Sequence, residues 1–239
     1  MEPRVHRYGT VSSTMNLLHR LAAEGAGEGT AVVAEEQLAG RGSRGRAWDS
    51  ARGGLWLSVL LRPGAVGTEL LSLRVGLAAV EALQHLGPAL RLGLKWPNDL
   101  MLDDRKLGGI LCEARWAGDS PAWVAVGVGI NVRNPIPPEL SSVAVALADA
   151  LPAATPDAVL DAVLPRLLEV DATGARLHDA ELDRLALRDW LSGRRLSQPV
   201  EGYAEGIGPE GTLRVRRDDG TVAELRTGRL ELAARSRSS

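Results

Sequence analysis

The stretch from Gln37 to Arg52 carries Gly40, Gly42 and Gly45 interleaved with Arg41, Arg44, Arg46 and Arg52, and almost no apolar residues. A segment of that composition cannot line a hydrophobic core, yet it lies between two apolar runs, Thr30 to Glu35 and Leu55 to Leu61, that read as strands. The chain must therefore leave its core for a long loop and return. Loops of this length in compact domains are usually functional.

Around that loop the periodicities alternate. Arg4 to Tyr8 reads as a first strand, and Ser12, Ser13 and Thr14 offer hydroxyls suited to a helix N-cap. Leu17, Leu18, Leu21 and Ala22 follow at helical spacing until Gly25 and Gly27. Gly67 to Leu86 predicts a helix with Leu70, Leu73, Leu77, Val80 and Leu83 on one face. Strands are expected near 91–95 and 99–102, with a turn at Asp103-Asp104, then over Lys106 to Arg115 and Trp123 to Val132. Residues 139–190 read as largely helical. From Leu191 onward, short alternating runs separated by turns such as Asp219-Gly220 predict a small β-barrel, with the tail after Ala234 disordered. The expected organisation is α+β, with a catalytic domain over 1–190 and a small β domain over 191–239.

Composition excludes several function classes. With 239 residues and a formal net charge of −2, the chain has no electrostatic footprint for nucleic acid or an anionic membrane. Cys112 is the single cysteine, and His6, His19, His85 and His178 are scattered, so neither a disulfide framework nor a protein-held metal site is expected. The start lacks the pattern of a secretion signal and no apolar run reaches membrane-spanning length, so a soluble, cytoplasmic protein is expected. Of the 28 basic residues only Lys95 and Lys106 are lysine. Two survivors in an arginine-biased chain invite a chemical explanation.

Four segments carry chemistry. In the loop, glycines let backbone amides approach an anion, the arginines match phosphate oxygens, and Trp48 offers a flat face. The Gly-Lys-Ser/Thr ending of a P-loop and the Rossmann glycine spacing are both missing. Lys95-Trp96-Pro97-Asn98-Asp99 places an amide and a carboxylate side by side, although Asn-Asp after proline is by itself the signature of a turn. Lys106-Leu107-Gly108-Gly109 puts an ammonium beside two glycines in a strand, where a ligand, another backbone or a bulge would explain them. Gly127-Val128-Gly129-Ile130-Asn131 sets a polar residue in an apolar strand with alternate glycines, which tight sheet packing alone would also produce.

In this order, from about Ser12 to Val132, the segments resemble the catalytic domain of biotin–protein ligases. The resemblance implies a fold like that of class II aminoacyl-tRNA synthetases, with an SH3-like barrel at the C-terminal end. It also implies an AMP-forming ligase that makes biotinyl-5'-AMP from biotin and Mg-ATP, with Mg²⁺ carried by the ATP phosphates. Biotin then passes to a lysine of a biotin carboxyl carrier domain. By the same resemblance, Ser13, Thr14, Met15, Gln37, Arg41, Gly42, Ser43, Lys106 and the backbone of Gly108 and Gly109 would bind biotin. Arg41, Arg44, Arg46, Trp48, Lys95, Asn98 and Asn131 would hold ATP or the adenylate. Lys106, Asp99 and Arg41 would carry the chemistry: Lys106 bridging biotin carboxylate and α-phosphate, Asp99 as base for the acceptor lysine or as an orienting group.

Two departures stand out. Ser43 replaces an arginine usual in the family's loop, which predicts looser closure over the adenylate unless Arg44 or Arg46 compensates. Met15 stands where asparagine is common, with Asn16 directly after. Three other readings compete: a lipoate–protein ligase of the same fold, a DNA-binding repressor that uses the adenylate as its signal, and an inactive adenylate-binding sensor. The ligase pattern begins by Ser12 and leaves no room for an N-terminal helix-turn-helix, and the reactive residues are present together. Both points favour the enzyme. A monomer and a homodimer paired through sheet edges are equally compatible with the sequence.

Overall fold

The computed structural model describes residues 4–62 and 68–233. The expected disordered tail after Ala234 lies outside them, as does Gly67, the expected start of the second helix. Strands β1 (Val5–Val11), β2 (Ala31–Gln37), β3 (Leu55–Leu61), β4 (Leu92–Lys95), β5 (Asp99–Leu102), β6 (Arg105–Ala117) and β7 (Ser120–Ile130) form one sheet in the order β1-β2-β3-β7-β6-β5-β4. Only β1 and β2 are parallel, joined through helix α1 (Thr14–Ala23). The other neighbours are antiparallel.

The centre of this sheet is buried on both faces, which is why β3 reads as a continuous apolar run instead of alternating. Leu55, Leu57, Val59 and Leu61 join the core built on helix α2 (Thr68–Leu86), whereas Leu60 joins Met15, Leu18 and Ala22 of α1. Ser58, on the α1 side, is wholly buried and shares a 2.7 Å hydrogen bond with the Thr14 hydroxyl. Its polarity is satisfied at the point where α1 begins.

Helix α2 is apolar beyond the predicted stripe: Leu71, Val75, Ala78, Ala79 and Ala82 are buried as well. Helices α3 (Pro156–Leu168) and α4 (Asp179–Arg188) cover its far side, so it is buried nearly all round. Thr155 caps α3 by accepting the Ala158 N–H at 3.2 Å, with Pro156 at the first helical position. These two helices are all the α-helix in 139–190, so the largely helical expectation is corrected. Residues 141–155 hold only a short 3-10 turn, Leu147–Asp149, because their backbone bonds strand ends instead. Lys106 N–H donates to Val143 O at 2.7 Å, Val145 N–H to Lys106 O at 3.0 Å, and Leu147 N–H to Asn131 O at 2.9 Å.

Between α3 and α4 the chain is held by Arg74 of α2, which is buried. Its guanidinium donates to the carbonyls of Asp171, Gly174 and Arg176 and to both carboxylate oxygens of Glu181, the nearest at 2.7 Å.

The C-terminal residues form a second sheet from β8 (Arg195–Gln198), β9 (Gly202–Ile207), β10 (Leu213–Arg216), β11 (Val222–Leu225) and β12 (Glu231–Leu232), ordered β11-β10-β9-β8-β12. Among the described residues its end strands do not pair with each other, so it is an open antiparallel sheet and not a closed barrel. Leu196, Ala204, Leu213 and Val215 join the same core as α2. Trp96 crosses to it, its indole N–H donating to Gly211 O at 2.8 Å. No described helix is long and apolar enough to cross a membrane.

Arg74→Ala is expected to cost about 3 kcal/mol in urea unfolding, because it leaves a half-buried Glu181 carboxylate and three carbonyls without their donor. A loss below 1 kcal/mol would show that the 171–176 loop is held by other contacts.

Candidate active site

Where β6 and β7 meet the N-terminus of α1, the sheet opens into a cavity of about 450 Å³, within the range of small-molecule sites. Alternate glycines on β7 create the room. A Cβ at Gly127 would sit 3.0 Å from Met15 Sδ, and one at Gly129 would sit 2.8 Å from Trp48 Nε1. The glycines thus seat Met15 at one end of the cavity and the Trp48 indole at the other. Leu57, Met101, Ile110, Leu111 and Val128 supply apolar walls between them.

At the Met15 end, Ser13 occupies the N-cap of α1 with extended backbone, but its hydroxyl makes no capping bond. That hydroxyl is left for the cavity it lines. Gln37 is largely committed to protein. Its Oε1 accepts from the N–H and hydroxyl of Thr14 at 2.9 and 3.0 Å, and its Nε2 donates to Ser50 Oγ at 2.9 Å. The side chain ties the start of the loop to its end and to α1.

The expected long loop is a narrow ribbon. Gln37 pairs with Ser50 and Arg41 with Ala47 as isolated bridges, Gly42 N–H donates to Arg46 O at 2.8 Å, and Trp48 N–H to Gly40 O at 2.9 Å. Gly40 is indispensable to it, since a Cβ there would lie 2.4 Å from Ser50 Oγ and 2.5 Å from Trp48 O. At the tip, Arg44 adopts φ 61°, a left-handed conformation costly for a side-chain-bearing residue. Arg44 does not line the cavity, whereas Arg41, Gly42, Ser43 and Arg46 do. Arg46 is held to Ser43 through Ser43 O at 3.4 Å and Oγ at 3.3 Å.

Lys106 and Asp99 meet at the centre: Nζ donates to Asp99 Oδ1 at 2.5 Å and lies 5.0 Å from the Trp48 ring centroid. Antiparallel β5 and β6 bring them within reach on a diagonal, Asp99 standing opposite Gly109 and Lys106 opposite Met101, with a register shift between Leu100 and Met101. Residues 143–145 clamp the Lys106 backbone from the other side. Lys95 also lines the cavity, stacked 5.4 Å from the Trp190 ring. Burial pushes its pKa down, opposed by the Asp99 charge and reinforced by Lys106. Asn98 lines the cavity but spends its Nδ2 on Ile110 O at 2.6 Å, clipping the turn to β6. Asn131 is buried, its Oδ1 engaged by Asn134 Nδ2 at 3.1 Å. Among the described residues Trp48 Nε1 is buried without a partner. An orphan donor of this kind suits an acceptor on a ligand.

The cavity also takes residues that sequence reasoning did not single out: Asn134, Ile136, Leu140, Val143 and Trp190. Leu140 and Val143 are exposed apolar side chains at its mouth, in a Pro-rich stretch that carries no periodic signal. No group of three His, Cys, Asp or Glu suited to a metal occurs among the described residues.

Gly108 and Gly109 part company. A Cβ on Gly108 would meet the Gly129 carbonyl at 2.5 Å and Ile130 Cα at 3.3 Å, so this glycine serves sheet packing and does not line the cavity. Gly109 faces the cavity, and a Cβ there would meet Lys106 Nζ at an ordinary 3.6 Å. Gly108→Ala is therefore expected to lower unfolding stability by about 2 kcal/mol, with Gly109→Ala staying within about 0.5 kcal/mol of the parent. Equal losses in denaturant titrations would contradict that separation.

Residues 8–131 match the model of the biotin/lipoate A/B protein ligase family. The bifunctional ligase/repressor BirA of Bacillus subtilis is 32% identical over 222 residues, covering 90% of this chain and 63% of that one. A biotin–[acetyl-CoA-carboxylase] ligase of Mycobacterium tuberculosis is 38% identical over 146 residues, 59% of this chain and 53% of that one. The chain thus spans less than two thirds of the length of these relatives. The solved biotin protein ligase of Aquifex aeolicus in complex with biotin and ATP superposes with a TM-score of 0.80 at 28% identity, covering 96% of this chain and 98% of that one. With the family's model matched across the strands and ribbon that build the cavity, the chain belongs to the biotin/lipoate A/B protein ligase family.

Proposed function

We propose that the chain is an ATP-dependent, AMP-forming biotin–protein ligase, acting on biotin, ATP and a lysine of a biotin carboxyl carrier domain. The observation that carries this reading is the place of Lys106. It lines the same cavity as Ser13, Thr14, Met15 and Gln37 at one end and as Trp48 and Asn131 at the other, with Nζ 5.0 Å from the Trp48 ring centroid. The first end suits a small apolar ring system with a few polar groups, the second a purine. The solved Aquifex aeolicus structure that this chain resembles is described as a complex with biotin and ATP, which supports a reading with two ligands.

In the first step a carboxylate oxygen of biotin attacks the α-phosphorus and pyrophosphate leaves. Two anions must approach, so a fixed cation between them lowers the barrier. Lys106 is that cation, with Arg41 and Arg46 of the ribbon lining the same cavity. A stabilisation of about 3 kcal/mol is worth on the order of a hundredfold in rate. Mg²⁺ would enter on the ATP phosphates, since a hard cation bound through phosphate oxygens needs no protein cage. In the second step the acceptor amine attacks the acyl carbonyl, AMP leaves, and a proton must be taken from the amine. Once Lys106 turns to the phosphate, Asp99 loses its ion-pair partner and is free to accept that proton. The 1–190 and 191–239 units would then share the work, since Trp96 beside the reactive turn is bonded to Gly211.

Pyrophosphate release tests the reading. Biotin with ATP is expected to drive it and lipoate is not; release driven by lipoate alone would assign the sibling activity, and none with either acid would leave a binding module. Lys106→Met is expected to lower biotin-dependent release at least about a hundredfold, with an unchanged circular dichroism spectrum. A loss under tenfold would remove Lys106 from its role.

Ser43 leaves the ribbon one cation short. Arg46 is tied back to Ser43, so Ser43→Arg would add charge and remove the hydroxyl tie to Arg46, leaving the bond to the backbone carbonyl. Ser43→Arg is therefore expected to reduce labelling of a bystander protein several-fold in the presence of biotin and ATP. Equal labelling by both proteins would show that closure does not depend on this position.

A further inference from the structure

Behind the ribbon a chain of hydrogen bonds runs from the sheet to Arg41. The Trp123 indole N–H donates to His19 Nδ1 at 3.0 Å, and His19 Nε2 lies 3.1 Å from Glu113 Oε2. An indole nitrogen only donates, so His19 Nδ1 must be the acceptor and the ring proton sits on Nε2, aimed at Glu113. Glu113 faces the Arg41 guanidinium through Nε at 3.4 Å and Nη2 at 3.3 Å, while Arg41 Nη1 donates to Asn16 Oδ1 at 2.7 Å. His19 is buried, and the Glu113 and Arg41 side chains are about one-third exposed.

We propose that His19 and Trp123 are positioning residues that act through Glu113 to aim Arg41 of the ribbon into the cavity, and so set the affinity for the acid substrate. The inference rests on the ligase reading of the site. Four points support it. The links come from four elements, α1, the ribbon, β6 and β7, so no local turn explains them. The Arg41–Glu113 contacts are long, and a loose pair keeps its geometry only if the carboxylate is itself held. The His19 hydrogen bond comes first among the causes that bring the Glu113 carboxyl down to about 2, with Arg41 behind it. The carboxylate is therefore anionic at any working pH. Finally, Arg41 lies at the ribbon bridge nearer the tip, Arg41–Ala47, so its direction sets that of the tip.

The test compares His19→Leu, which deletes both links, with His19→Gln, whose amide can accept from Trp123 and donate to Glu113. Steady-state pyrophosphate release with biotin and ATP is measured alongside trypsin cleavage after Arg41, Arg44 and Arg46 in the free protein. For His19→Leu the expected result is a rise of about tenfold in KM for biotin, a change in kcat under threefold, and several-fold faster cleavage of the ribbon. His19→Gln should return all three to within about threefold of the parent. Unchanged KM and cleavage in His19→Leu would overturn the proposal. So would losses of equal size in both variants that track a lowered Tm, since these would mark a merely structural histidine. A parent protein that releases no pyrophosphate would sink the ligase reading instead, and the cleavage rates would still report on the positioning of the ribbon.

Discussion

The Lys106 ammonium sits 2.5 Å from the Asp99 carboxylate, partly shielded from water and facing the Trp48 ring. Much of the structure near the cavity exists to hold that pair where two other anions could reach it. An ion pair of this kind gains little as a stabilising device, because desolvation offsets much of its Coulomb energy. Under the proposed ligase reading its value is chemical: a cation already paired, whose partner would become a base once the cation is drawn away.

Three constraints keep the pair in place. Antiparallel pairing of β5 with β6 sets the two residues on a diagonal, across the register shift at Leu100–Met101, the Asn98 side chain locks the preceding turn to Ile110, and residues 143–145 bond the Lys106 backbone from the far side. The sheet that carries them is covered by α1 on one face and by α2 on the other, so its centre cannot shift without disturbing two cores. The ribbon is the contrasting part. It is held by a few backbone bonds, by Gln37 and by the Arg41–Glu113 contact, and it has little apolar burial of its own. A stiff floor with a lightly held cover is the arrangement expected where a reactive intermediate must be shielded and then released.

Much of this was legible in the sequence because it depends on local chemistry. The two lysines in an arginine-biased chain do line the cavity, and the Gly/Arg stretch does leave the core to cover it. Strand and helix positions followed from periodicity, with β6 and β7 each running further than predicted, to Ala117 and back to Ser120. What failed depended on partners distant in sequence. The apolar content of 139–155 looked helical, but its backbone bonds to Lys106 and Asn131 hold it beside the sheet. Gly108 and Gly109 looked equivalent, and only the position of Gly129 across the sheet separates them. Arg44 stands at the ribbon's tip on a left-handed backbone that no sequence signal announced. The alternate glycines of β7 read as ambiguous because their purpose, seating Met15 and Trp48, lies in residues about eighty to over a hundred positions away. His19 and Trp123 gave no signal at all, being unremarkable members of an amphipathic helix and a strand.

The claim on which the account depends is that one ammonium serves both the acid and the nucleotide. The most direct measurement is a crystal structure grown with biotin and a non-hydrolysable ATP analogue. It should show Lys106 Nζ turned from Asp99 and within about 3 Å of both a biotin carboxylate oxygen and an α-phosphate oxygen. Lys106 still bonded to Asp99, with the two ligands bound and neither in reach of it, would contradict the account.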